Sequence, residues 1–210
     1  MGRRLLLTLV LALPVCSFAG NLTVFNTGVN SFGQALTIGQ IDPHYHDTIP
    51  TNIVYTGNYG AWINPGILAD WIEPDLSSGS AYLGGVYTLD YRTTVDLTGF
   101  DPASVSIVGG WATDNLGLNI LVNGHATGNT SPTYSSLSGF TLSGASGFFQ
   151  SGVNTLDFQW QNQGGPGGLL VEFTSATANA AGTGAPEPAT FLLFGAGLAG
   201  VGLLRRRRRS

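Results

Sequence analysis

From Tyr87 to Leu97 the sequence YTLDYRTTVDL alternates cleanly, with Tyr87, Leu89, Tyr91, Thr93, Val95 and Leu97 on one side. Thr88, Asp90, Arg92, Thr94 and Asp96 fall on the other. A period of two among aromatic and β-branched residues predicts a strand with one buried and one wet face. Shorter versions recur at 105–108, at Leu118, Ile120 and Val122, at Leu156, Phe158 and Trp160, and at Leu169, Val171 and Phe173. Gly, Asn, Pro and Ser separate these segments, and Asn123-Gly124 is a two-residue hairpin signal. No part of the middle carries a helical period. Short strands with turn signals about every ten residues predict an all-β fold, a single β-sandwich of jelly-roll type over residues 20–173.

The pattern changes at both ends. Residues 1–19, MGRRLLLTLVLALPVCSFA, place Arg3 and Arg4 before an apolar core and finish on small residues, which predicts a signal-peptide helix. Signal peptidase would cut between Ala19 and Gly20. The stretch Leu13-Pro14-Val15-Cys16 resembles a lipid-attachment site, but Val15 stands where Gly, Ala or Ser is wanted. With that cut the only cysteine, Cys16, leaves with the signal, so the mature chain has no disulfide. After Phe173 comes TSATANAAGTGA, residues 174–185, with no large side chain to bury, which predicts a flexible linker. The apolar run 189–204 then gives about 24 Å of helix at roughly 1.5 Å per residue, enough for a short single transmembrane helix. Five arginines follow it and hold the C-terminus inside.

Charge sharpens this division. Charged residues make up 10% of the chain, against about 25% in an ordinary domain, and there is no Lys. Seven of the eight Arg lie at the ends. Residues 20–185 hold eleven of the twelve acids, all but Glu187, and a single base, Arg92, so they carry about −10. Such a surface repels phosphate backbones and excludes nucleic acid as a partner.

Pro186-Glu187-Pro188, the glycine-containing apolar stretch, and Arg205, Arg206, Arg207, Arg208 and Arg209 together resemble the PEP-CTERM sorting signal of bacterial exported proteins, over residues 186–210. The resemblance implies recognition by an exosortase, removal of the tail near Pro-Glu-Pro, and delivery to the envelope or surrounding matrix. A permanent single-pass anchor is the alternative for the same residues. Across residues 22–174, DPHY (42–45), AWINPG (61–66), DWIEP (70–74), GGWATDNLGLNILVNG (109–124), SGVNTLDFQWQN (151–162) and GGPGGLLVEF (164–173) resemble a secreted jelly-roll domain found before such tails. Its shape is similar to that of galactose-binding-like and carbohydrate-binding modules, and no binding site is carried over from it.

Candidate chemistry is sparse. Trp62 and Trp71, in Pro- and Gly-punctuated segments, are the first choices for an exposed platform that stacks on sugar rings, whereas Trp160 continues a buried alternation. Asp114 and Asn115, with Asn119 and Asn123 beyond, could bind sugar hydroxyls or supply oxygens to Ca²⁺; equally they could close turns on nearby amides. In DPHYHD, His44 and His46 could share a strand face as metal ligands, but no further Cys or His completes a cage, and the resemblance implies instead a turn at Asp42-Pro43 with Tyr45 inward and the histidines as solvated edge residues. No metal or cofactor is assigned; Ca²⁺ is the one cation the oxygen donors would suit. The middle has only Glu73 and Glu172, no Gly-x-Ser-x-Gly elbow and no cysteine, so it is read as non-catalytic. The expectation is therefore an exported envelope or matrix protein, associated with polysaccharide. A self-associating structural protein is the alternative, ahead of a glycan-active enzyme or a permanently anchored domain.

Overall fold

The computed structural model describes residues 19–48, 53–55 (backbone), 60–64, 68–74, 85–182 and 195. The chain divides into two compact units, the first ending at Ala180. The signal segment 1–18 lies outside the described residues, as does the apolar run 189–204 apart from Gly195. Among the described residues no helix is long and apolar enough to cross a membrane.

The all-β sandwich expected from the alternation is what forms. In chain order the strands are β1 (Ala19–Asn21), β2 (His46–Asp47), β3 (Ile53–Tyr55), β4 (Ile72–Pro74), β5 (Val86–Asp96), β6 (Ser106–Asp114), β7 (Leu116–Val122), β8 (His125–Ala126), β9 (Ser138–Ser143), β10 (Val153–Gln163) and β11 (Gly168–Asn179). They pair antiparallel into two sheets. One runs β3-β4-β11-β6-β9, with β1 along the far end of β11; the other runs β2-β5-β10-β7-β8. From β5 onward each long strand crosses to the opposite sheet, so the long strands adjacent in a sheet are distant in sequence and the inward faces close one core between them.

Strand β5 behaves as its period demands, with Leu89, Tyr91, Thr93 and Val95 buried and Thr88, Thr94 and Asp96 outside. Leu156, Phe158 and Trp160 of β10 are likewise core. The Asn123-Gly124 turn forms with both residues at positive φ, 50° and 81°, the conformation that joins β7 to β8 without splaying them.

Two expectations are corrected. Leu118 does not share the face of Ile120 and Val122. The β7–β10 register slips so that Asn119 faces Gln159 while Gly117 faces Trp160, leaving Leu118 as an extra, outward residue. Gly117 then lies under the Trp111 ring, where a Cβ would stand 2.6 Å from Cη2. Second, residues 174–179 are strand rather than linker. After a slip between Phe173 and Ser175, β11 pairs Ser175, Ala176 and Thr177 with Val108, Ile107 and Ser106, and its last three residues with β1. Main-chain hydrogen bonds on both sides order a segment whose side chains bury little, a contribution that composition does not reveal.

The outer face of the six-stranded sheet is covered as well. Ala112 of β6 and Leu170 of β11 sit beneath Trp62, Ala69 and Trp71, with Ile63, Tyr134 and Leu137 around them. These two core layers set apart the buried and outward leucines. Leu156→Ala is expected to cost about 2–5 kcal/mol in denaturant unfolding, whereas Leu118→Ser should stay within about 0.5 kcal/mol of the parent. Equal losses at the two positions would contradict the bulge.

Candidate functional site

Trp62, Trp71, Asp114 and Asn115 do come together, but as a closed cluster rather than an open platform. Trp62 is 5% exposed and Trp71 0%. Their rings tilt together at 4.3 Å, Trp62 Nε1 donates to Asp114 Oδ2 at 2.7 Å, and Trp71 Nε1 donates to the Ile63 carbonyl at 3.0 Å. The reason is the sheet beneath: Leu170 of β11 and Ala112 of β6 make an apolar patch on its outer face, and the two indoles roof it. Neither ring offers a free face to a sugar. Asp114 ends β6, has its other oxygen buried without a partner among the described residues, and has its pKa raised by burial. Asn115 turns the chain into β7, its Oδ1 accepting from Gln163 N at 2.6 Å and its own N–H donating to the Gln161 carbonyl.

The other polar candidates also close loops. Asn119 Oδ1 accepts from the N–H groups of Thr127 and Gly128. Asn123 bridges the Phe148 carbonyl, Asn154 and the Thr155 N–H. Asp42 accepts from the N–H groups of Gly28, His44 and Tyr45, which makes the expected turn and sends Tyr45 inward, its hydroxyl donating to the Phe25 carbonyl. His44 is not at a solvated edge: its ring stacks flat on Phe25 at 3.6 Å. Each of these oxygens is already spent on backbone amides, and among the described residues no three of His, Cys, Asp and Glu gather as a metal centre requires.

On the outer face of the five-stranded sheet polar side chains converge, and among the described residues no apolar layer covers them. Arg92 of β5 stands in register between His46 of β2 and Asp157 of β10. Its Nε and Nη2 donate to Asp157 Oδ1 and Oδ2 at 2.5 and 3.0 Å, a two-pronged pair with Arg92 39% exposed. One step along, Asp90 faces Gln159, which faces Asn119; beyond it Thr88 faces Gln161. Burial, more than the neighbouring carboxylates of Asp157 and Asp47, raises the Asp90 pKa, although Gln159 donates a hydrogen bond to it. Single-sequence reading missed this row. Its signal was present in the outward positions of two alternating segments, but not the pairing that lays one against the other.

At the ends of the chain, Ala19 and Gly20 lie within β1, paired with Asn179 and Ala178. Pro186, Glu187, Pro188 and Arg205 to Arg209 lie outside the described residues. Residues 185–209 match the PEP-CTERM protein-sorting motif. That motif indicates an exported protein sorted to the cell surface by an exosortase. The match covers the tail, and no curated protein and no solved structure matches the chain.

Burial has one measurable effect on the sandwich. Glu73, 4% exposed on β4, has its pKa pushed up to about 7 by desolvation. The carboxyl groups of Asp42, Asp90 and Asp114 shift in the same direction for the same reason. A folded acid with a raised pKa holds its proton longer than the unfolded one, so stability falls as pH rises from about 4.5 through about 7. For Glu73 alone the loss is up to about 3 kcal/mol. The thermal midpoint is therefore expected to drop between pH 5 and pH 8, and Glu73→Gln should flatten most of that slope. A midpoint that rises over this interval would contradict the burial.

Proposed function

We propose that this exported protein acts at the cell envelope or in the surrounding matrix, bound non-catalytically to polysaccharide. Processing would involve signal peptidase at Ala19–Gly20 and exosortase near Pro186-Glu187-Pro188, with the 189–204 segment holding the chain in the membrane until the tail is removed. The observation that carries the binding reading is the row of half-buried Arg92, Gln159 and Gln161 with exposed Thr88 on the five-stranded sheet. Amides, a guanidinium and a hydroxyl supply the paired donors and acceptors that sugar hydroxyls require, on a face long enough to meet several residues of a polymer. The negative balance of the domain favours a neutral or amino-bearing glycan over an acidic one. The crossing of successive strands between sheets supports the likeness to a secreted jelly-roll module. A non-catalytic role is supported by Asp157, both of whose oxygens are held by Arg92, leaving neither as base or nucleophile.

In affinity electrophoresis through neutral polysaccharides, with and without calcium, at least one polymer is expected to retard the protein. Joint replacement Gln159→Ala and Gln161→Ala should weaken that retardation by about tenfold, the sum of two modest hydrogen bonds. Trp62→Phe should leave it unchanged, and the ligand should not quench tryptophan fluorescence, because all four indoles are interior. Retardation lost with Trp62 but kept in the double variant would sink the sheet-face reading. Separately, intact mass of the surface fraction from cells that possess an exosortase should lack residues 189–204; their retention there would favour the permanent anchor.

A further inference from the structure

The acids of this domain are not spread over it. Residues 115–156, forty-two in succession, contain no Asp, Glu, Lys or Arg, whereas all eleven acids of residues 20–185 and Arg92 lie outside that stretch. The topology gathers this stretch on one flank, since it supplies β7 and β8 at one edge of the five-stranded sheet and β9 at the corresponding edge of the other.

Strand β9, SGFTLS, is an edge without the devices that normally blunt one. It pairs with β6 in an unbroken register from Ser138↔Trp111 to Ser143↔Ser106, and among the described residues no strand covers its other side. It has no charge, no proline and no bulge, and Thr141 and Ser143 are exposed while Phe140 and Leu142 point into the core. A free edge of this kind presents a row of main-chain donors and acceptors to any strand that can approach.

We propose that β9 is a self-association surface on which a second copy of this chain adds its own β9, antiparallel, across a twofold axis. Two copies with acidic bodies of the same sign repel each other except along the uncharged flank, which is where the open edge lies. Side-chain alternation fixes the register. Opposed residues must share a face, so the axis passes through a residue rather than between two. Centred on Thr141, it sets Thr141 against Thr141 and Phe140 against Leu142, keeping both large side chains on the core side and placing a favourable Thr pair in the centre. The surface is separate from the Arg92–Gln161 face, so it stands whether or not that face binds glycan.

The test uses the full chain with Cys16→Ser, purified in mild detergent and oxidised. Thr141→Cys is expected to form a disulfide-linked dimer across the axis, while Ser146→Cys, exposed but off the edge, should not. By light scattering at about 100 µM, a concentration that populates micromolar dimers, the parent should be dimeric. Thr141→Lys, which opposes two like charges, should lower its association by at least tenfold. A parent that stays monomeric, or cysteine at 141 linking no better than at 146, overturns the proposal. Dimers that withstand Thr141→Lys overturn this interface. If the lysine variant does not fold, the cysteine pair decides alone.

Discussion

Phe158 is the contact on which the two sheets depend. From the centre of β10 its ring meets Trp111, Phe140 and Phe173 of the opposite sheet at 5.7, 6.1 and 6.4 Å, and Tyr45 at 6.2 Å. The chain has a single cysteine, so no internal disulfide can tie the layers, and closure rests on packing. Each such tilted or edge-to-face pair adds about 0.5–1.5 kcal/mol beyond the area it buries. Next to it Trp160 is flanked edge-on by Tyr87 and Tyr91, which extends the aromatic layer towards the start of β5. Loops rich in Gly and Asn are tolerable here because this layer, and not the loops, fixes the spacing of the sheets.

That closure decides what the polar residues are for. Where a sheet face is roofed, carboxylates and amides are drawn inside and consumed by the chain: Asp114 under Trp62, Asp42 in the turn before Tyr45, and Asn154 tying Gln150 and Gly152 beside β10. Where no apolar layer covers a face among the described residues, as on β5 and β10, the same residue types form a polar row. One composition thus yields two outcomes, separated by which side of a strand carries its second set of apolar residues. Leu170 and Ala112 recruit a roof; among the described residues Arg92 and Gln159 have none.

The fold was largely legible because its signal is local. Alternation from Tyr87 to Leu97 and from Leu156 to Trp160 states strand and face together, and Asn123-Gly124 states the turn. Leu118 was misplaced because a bulge is invisible until the partner strand is known: only opposite Trp160 does Gly117 become the inward residue. Residues 174–179 were misread because their order comes from hydrogen bonds to β6 and β1, which small side chains do not announce. Candidate-site residues fared differently. Trp62, Trp71, Asp114 and Asn115 proved to be neighbours, yet residue type alone could not tell a roof from a platform. The Arg92–Asp157 row joins segments 65 residues apart, a separation across which one sequence holds no pairing information.

The register of β1 on β11 places Ala19 opposite Asn179, so the first and last strands of the sandwich meet at one point. Tension applied to the uncut chain between residues 19 and 179 would peel three residue pairs open one after another, instead of shearing the long strands against each other. The core around Phe158 is thereby insulated from that tension, with β1 as the part that yields first. The same adjacency makes the topology nearly circular: a short bridge from Asn179 to Ala19 would join the ends, and a new opening could be made in a distant exposed turn without rerouting any strand.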